Sequence, residues 1–313
     1  MMMQKNIKKI FSDYSVLVAL IILFVISSII RGNEFLSINN ITNILRNSVS
    51  IGIITIGMTA IIILGGIDLS VGSMMVLCGV VILAVINMTN SIVLGIMAGI
   101  LLGVVLGALT GAIIAKGKLP AFIVTLGAMS IYRSVAQYVL KGGGIISANK
   151  EYQLISNYEI FNWSLSIFYW IILVLIAMFF MKYTRLGRYI YSVGSNEKAT
   201  RFSGINVDKV KIATYALGGL FVALAAVVES SRLGSINSSS SGVAYEMDAI
   251  AAVVVGGTSM AGGKGAIFGT FAGMLILGIM NNMMTLLGIP PFLVGAVKGS
   301  IIILAVLFQK KDQ

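Results

Sequence analysis

The 313-residue sequence has no histidine, a single cysteine (Cys78), three prolines and only 11% charged residues. One cysteine excludes a disulfide framework, and without histidine the usual metal-site patterns cannot be built. Soluble domains carry roughly 25% charged residues, so this chain has too few to cover a water-facing surface. Catalytic signatures are missing as well: there is no paired-histidine motif and no GxSxG elbow. Gly257–Lys264 approaches a phosphate loop but has Thr258 where glycine is required and Gly265 where serine or threonine must follow. Any use of ATP therefore falls to another chain.

Hydrophobic residues make up 58% of the sequence, and the mean hydropathy is +1.00. The class expected is an all-α polytopic integral membrane protein with about ten transmembrane or membrane-embedded helices, some interrupted by glycine. Apolar windows place these segments at Tyr14–Ile30, Asn47–Gly66, Leu69–Met88, Ser91–Ala115, Pro120–Leu140, Leu165–Lys182, Val210–Leu233, Tyr245–Met260, Gly265–Leu287 and Pro291–Phe308. The eighth is short and glycine-rich, which leaves open whether it crosses fully. The first lies behind Lys5, Lys8 and Lys9 without a small-residue cleavage site, so it reads as a retained helix.

Charge tests the map. With an inward N-terminus and ten crossings, 15 of the 22 lysines and arginines fall inside. Arg31, Arg46, Lys141, Lys150 and Arg232 fall outside, and Arg133 and Lys298 lie within spans. This bias follows the positive-inside rule and explains the net charge of +11 without nucleic acid. The largest inside loop, Lys182–Lys211, contains a predicted two-turn helix. Asn196 is its N-cap, Glu197 faces the positive end of its dipole, and Gly204 is its terminator. Such a helix is too short to persist alone. On the outside, Gly142-Gly143-Gly144 followed by Tyr152, Tyr158 and Trp163 suggests a flexible loop with interfacial aromatics.

Two segments share a glycine pattern. An offset of 191 carries Gly65, Gly66 and Gly72 onto Gly256, Gly257 and Gly263, with Asp68 and Ser70 in the first copy and Thr258 and Ser259 in the second. Paired glycine-interrupted segments point to a transport pathway, and tight turns between spans are the plainer reading. Asp68 stands where a helix could begin at Leu69, so it reads either as a cap or as an ion or proton site. Arg133 and Gln137 share a helix face, and Asn281 and Asn282 lie inside the ninth segment; pathway lining and interhelical hydrogen bonding both suit them. Gly99, Gly103, Gly107 and Gly111 form a small-residue stripe suited to close packing or dimerisation.

Four stretches carry a resemblance: GGIDLSVGS (Gly65–Ser73), Thr184–Val207, Tyr245–Gly265 and NNMMTLLG (Asn281–Gly288). Together, and in the same order, they resemble the monosaccharide-type ABC importer permeases along nearly the whole chain, with a departure at Pro290-Pro291-Phe292. The resemblance implies a single permease domain spanning 1–313 in the bacterial cytoplasmic (inner) membrane, with both termini in the cytoplasm. It implies a homodimeric pore and partner ATPase subunits that use ATP and Mg, this chain binding no cofactor of its own. It also implies an extracytoplasmic sugar-binding protein and a pentose cargo, ribose foremost, with other sugars and autoinducer-2 open. Within the coupling loop, about 183–209, Asn196, Glu197, Ala199, Thr200, Arg201 and Gly204 would form the helix that seats in the ATPase.

Overall fold

The computed structural model describes residues 15–290 and 293–300. The tenth expected segment lies largely outside them, with 293–300 helical, and the basic residues near both termini lie outside as well. Among the described residues, seven helices are long and apolar enough to cross a membrane. They are α1 (Ser15–Leu36), α2 (Ile38–Ile63), α3 (Val71–Thr89), α4 (Ile92–Gly117), α7 (Leu165–Tyr183), α10 (Val207–Leu233) and α12 (Ile267–Leu286). An eighth, α5 (Ala121–Leu140), has the length, but Arg133, Gln137 and its tyrosines keep its hydropathy below theirs.

Burial orders the bundle. In its most apolar window α2 is 89% buried and α1 only 6%, so α2 is the central helix and α1 a peripheral one. α10 packs along α2, α3 and α4. The small-residue stripe makes this close approach possible. Gly99 lies against Ile82 of α3, while Gly103 and Gly107 lie against the backbone of α10 at Gly219 and Tyr215. A Cβ on Gly103 would stand 2.5 Å from the Gly219 carbonyl oxygen. The stripe is thus used up by packing within the chain.

The described cations sort by end. Lys116, Lys118, Lys182, Arg185, Arg188, Lys198, Arg201, Lys209, Lys211 and Lys264 gather at one end, where α4, α7 and α11 (Tyr245–Val255) finish and α5, α10 and α12 begin. That basic end also carries α8 (Arg185–Ser195) and α9 (Glu197–Phe202). At the opposite end lie β1 (Gly144–Ile146), a 3-10 turn (Lys150–Gln153), α6 (Leu154–Asn157), β2 (Glu159–Ile160) and β3 (Trp163–Ser164). This layer is not the flexible loop expected. Tyr152 is fully buried, its hydroxyl bonded to Ser230 Oγ at 2.6 Å, and Ser156 Oγ donates to the Val228 carbonyl. Serines at the end of α10 supply polar partners that a sequence window does not reveal, and they draw Tyr152 inward rather than to an interface.

Between α10 and α11 the chain crosses back without a continuous helix. β4 (Ser235–Asn237) pairs antiparallel with β1, a turn covers 238–244, and α11 follows with 11 residues. At 1.5 Å per residue α11 is about 16 Å long, roughly half the hydrocarbon thickness. Ile236 packs on Gly79 and Gly242 on Gly72, so the strand and turn descend beside α3 towards its start. The segment Tyr245–Met260 is therefore a half-helix continued by irregular backbone on both sides.

Candidate functional site

Both glycine pairs end helices in the same way. Gly65 N donates to Ile62 O and Gly66 N to Ile61 O; Gly257 N donates to Val254 O and Thr258 N to Val253 O. These are two Schellman closures, whose pivot needs left-handed backbone: Gly65 has φ +91° and Gly257 φ +85°. The pivots pair Gly65 with Gly257, an offset of 192 instead of 191. Identical letters concealed which glycine turns the chain. Gly72 and Gly263 are not counterparts either: Gly72 lies in the first turn of α3, whereas Gly263 sits in the loop before α12. The chain reverses at both places: α2 and α3 both reach the opposite-end layer, through Arg46–Asn157 and Asn87–Ile146, and α12 runs back along α11, with Gly269 against Gly256 and Gly273 against Ala252.

The two turns touch. Gly263 N donates to Ile63 O at 2.8 Å, beyond the last hydrogen bonds of α2. A Cβ on Gly262 would lie 3.2 Å from Gly65 Cα. Above them sits α8, where a Cβ on Gly194 would run into the Ile63 carbonyl oxygen and stand 2.8 Å from Gly263 N. Tyr191 OH fastens the same helix to Gly265 O at 2.8 Å. Three segments thus meet mainly through backbone, with the Tyr191 hydroxyl as a side-chain tie, so little at the Gly194 contact can absorb movement.

Helix α8 leads straight into α9. Asn196 Oδ1 accepts from Ala199 N at 2.9 Å, and Gly204 (φ +81°) closes the far end. Thr200 Oγ1 donates to Ser192 O of α8 at 2.9 Å, tying the two helices together. Arg201 bonds Asp208 at 2.8 Å, and Glu197 bonds Lys211 at 2.9 Å, so α9 is braced on α10. Ala199 remains exposed and Phe202 is 91% exposed at the tip. α8 itself was not foreseen; Thr184 as N-cap with Leu186, Ile190 and Val193 at helical spacing was the signal available.

The other expected residues separate. Asp68 does not cap a helix at Leu69. α3 starts at Val71, and Asp68 Oδ1 accepts from Ser70 N at 2.8 Å and Ser70 Oγ at 2.6 Å, fixing the buried approach to it. Asn282 and Asn40 exchange two amide hydrogen bonds, at 2.7 and 3.1 Å, which clasp α12 to α2; Asn281 takes Thr285 Oγ1 on its backbone carbonyl. Thr258 is fully buried against Gly265, and the Ser259 hydroxyl accepts from Ala261 N. Gln137 is half-buried and gives its carbonyl to Gly142 N.

Arg133 lies elsewhere. Its Nη1 donates to Ser238 O at 2.9 Å and Ser241 O at 2.8 Å, holding the irregular crossing against α5. Beside it opens a cavity of about 390 Å³, lined by Ser73, Met129, Ser130, Arg133, Ser134, Gly242, Val243, Ala244 and Glu246. Glu246, in the first turn of α11, escaped notice because its own segment looked merely apolar. A second carboxylate, Glu229, accepts from Ser50 Oγ at 2.6 Å, Tyr245 OH at 3.0 Å and Arg232 at 3.1 Å, joining α2, α10 and α11. Irregular backbone at membrane depth survives when buried in protein or lining a cavity, and this turn borders one. Among the described residues, no group of metal-binding side chains is present.

These features agree with comparisons to known proteins. Residues 40–306 match the family described as "Branched-chain amino acid transport system / permease component". The ribose import permease protein RbsC of Escherichia coli (strain K12) is 43% identical over 95% of this chain and 93% of its own length. RbsC of Bacillus subtilis (strain 168) is 41% identical over 93% of this chain and 91% of its own. The L-arabinose transport system permease protein AraH of Escherichia coli (strain K12) is 37% identical over 97% and 92%. No solved structure matches the chain. With a family match across most of its length and full-length relatives among the sugar permeases, the chain belongs to this family of transport-system permease components.

Proposed function

We propose that this chain is the membrane-spanning permease subunit of an ATP-driven importer for a monosaccharide, D-ribose first. The observation that carries the cargo is the 43% identity to a ribose import permease over 93% of that protein's length. The mechanism rests on the backbone junction. An ATPase subunit seats on α9, with Ala199 and Phe202 as its exposed contacts, and hydrolyses ATP with Mg; this chain supplies no catalytic group. Thr200 passes the movement to α8, and Gly194 bears on the Ile63 carbonyl and the Gly263 amide. The ends of α2 and α11 then shift together, and alternating access follows as these rigid elements move past the half-helix crossing.

An extracytoplasmic sugar-binding protein delivers cargo to the opposite end, and two copies of the chain form the pore. The basic end faces the cytoplasm in a bacterial inner membrane, by the charge bias. Reconstitution into vesicles with the ATPase and binding protein tests the reading. Labelled ribose enters only with ATP, and unlabelled ribose competes better than arabinose. Uptake that persists without ATP and the ATPase would sink the importer reading, and preference for arabinose would reassign the sugar.

A further inference from the structure

The 390 Å³ cavity beside Arg133 has a chemistry that the proposed import of sugar leaves unassigned. Its wall on α5 is Met129, Ser130, Arg133 and Ser134, and Gln137 continues the polar face beyond it at the i, i+3, i+4, i+7 spacing of one helix stripe. Thr125, Ala128, Tyr132 and Ala136 pack inward, and the outer flank is apolar and exposed: Ile131, Val135 and Val139 are suited to lipid or to a second chain. A polar stripe in such a helix is stable only against water or polar partners. Ser130 and Ser134 are both exposed in the single chain, so they face open space, not packed protein.

Two opposite charges border this space, from separate elements. Arg133 is oriented by the carbonyls of Ser238 and Ser241, which occupy one of its nitrogens. Among the described residues, no other protein group accepts its remaining donors. Glu246, in the first turn of α11, borders the same cavity as Arg133 and forms no ion pair among the described residues. A charged pair left open across a cavity suits a neutral ligand that both donates and accepts hydrogen bonds. Sugar hydroxyls do both: one accepts from the guanidinium while a neighbour donates to the carboxylate, and the serines add further contacts. The volume lies within the range of small-molecule sites. No aromatic ring lines the cavity, so stacking is absent and the hold is weak, as a site of passage needs.

We propose that this cavity is a polyol-binding subsite of the permease pathway, with Arg133 and Glu246 reading the hydroxyls of the passing sugar. The inference rests on the importer reading above. The test uses the complete complex in vesicles, with ribose as the probe. Cys78 is fully buried, so Ser134→Cys introduces the one accessible thiol among the described residues. A charged methanethiosulfonate reagent labels it, and millimolar ribose slows labelling at least tenfold whereas leucine does not. Failure to label, labelling indifferent to ribose, or protection by leucine would overturn the subsite. In parallel, Glu246→Gln lowers sugar carried per ATP at least fivefold; an unchanged ratio also overturns it. A wild-type complex that imports no ribose with ATP would instead refute the importer reading, so the two failures are distinct.

Discussion

At the scale of single residues, Gly194 is the position where one atom matters most. Gly194→Ala pushes a methyl into the Ile63 carbonyl and the Gly263 amide, backbone atoms that cannot rotate away. Overpacking of this kind costs about 1–3 kcal/mol. Thermal unfolding in detergent should show a lowered midpoint, and sugar transport should fall further than folding does. Gly127→Ala is the control, since nothing lies within 4 Å of a Cβ there and helix propensity favours alanine. Equal midpoints for the two variants would remove the junction from the account. Asp68 offers a second single-residue prediction. Asparagine keeps the oxygen that holds Ser70, whereas alanine abandons two buried donors, at about 1–3 kcal/mol each. Asp68→Asn should therefore transport within about threefold of wild type, with Asp68→Ala far lower. The reverse order, or equal loss in both, would make the charge itself functional.

Elements differ in how legible they were, and the reason is locality. The ends of α9 were readable because Asn196 and Gly204 act on backbone within one turn of themselves. The long apolar helices were readable because lipid length imposes a run of about 20 residues. The crossing through Ser235–Asn237 and 238–244 had no such signature. Four consecutive serines and a glycine look like a surface loop until α5 is known to hold Ser238 and Ser241 and α3 to pack on Gly242. Burial of Tyr152 likewise depends on Ser230, 78 residues away. The glycine repeat was visible in sequence but shifted by one residue, because φ is not written in the letters. For α9 the prediction is direct: Ala199→Glu leaves the braces from Arg201 to Asp208 and from Glu197 to Lys211 in place. It should insert normally yet lose most binding-protein-stimulated ATP hydrolysis. Full stimulation in that variant would show that the ATPase does not seat on this face.

Over the whole molecule, α2, α3, α4 and α10 pack into one body, and under the proposed mechanism movement at the basic end reaches the cavity beside it. The path has named contacts: Thr200 to Ser192, Gly194 to Ile63 and Gly263, then α11 to Glu246 and the turn that Arg133 holds. Lys298 adds a restraint from the far side, bonding Asp248 of α11 at 2.8 Å. Lys298→Met should free the half-helix and raise ATP hydrolysis uncoupled from sugar, measured as ATP consumed per sugar imported; an unchanged ratio would confine the pair to a structural role. The most direct test of the central claim is the labelling rate of Ser134→Cys in the complete complex, with and without ATP trapped on the ATPase. A change of at least tenfold between the two states is expected, because in the proposed mechanism the nucleotide drives α9 and α9 drives the cavity. A rate indifferent to trapped nucleotide, in a complex that still imports sugar, would contradict it.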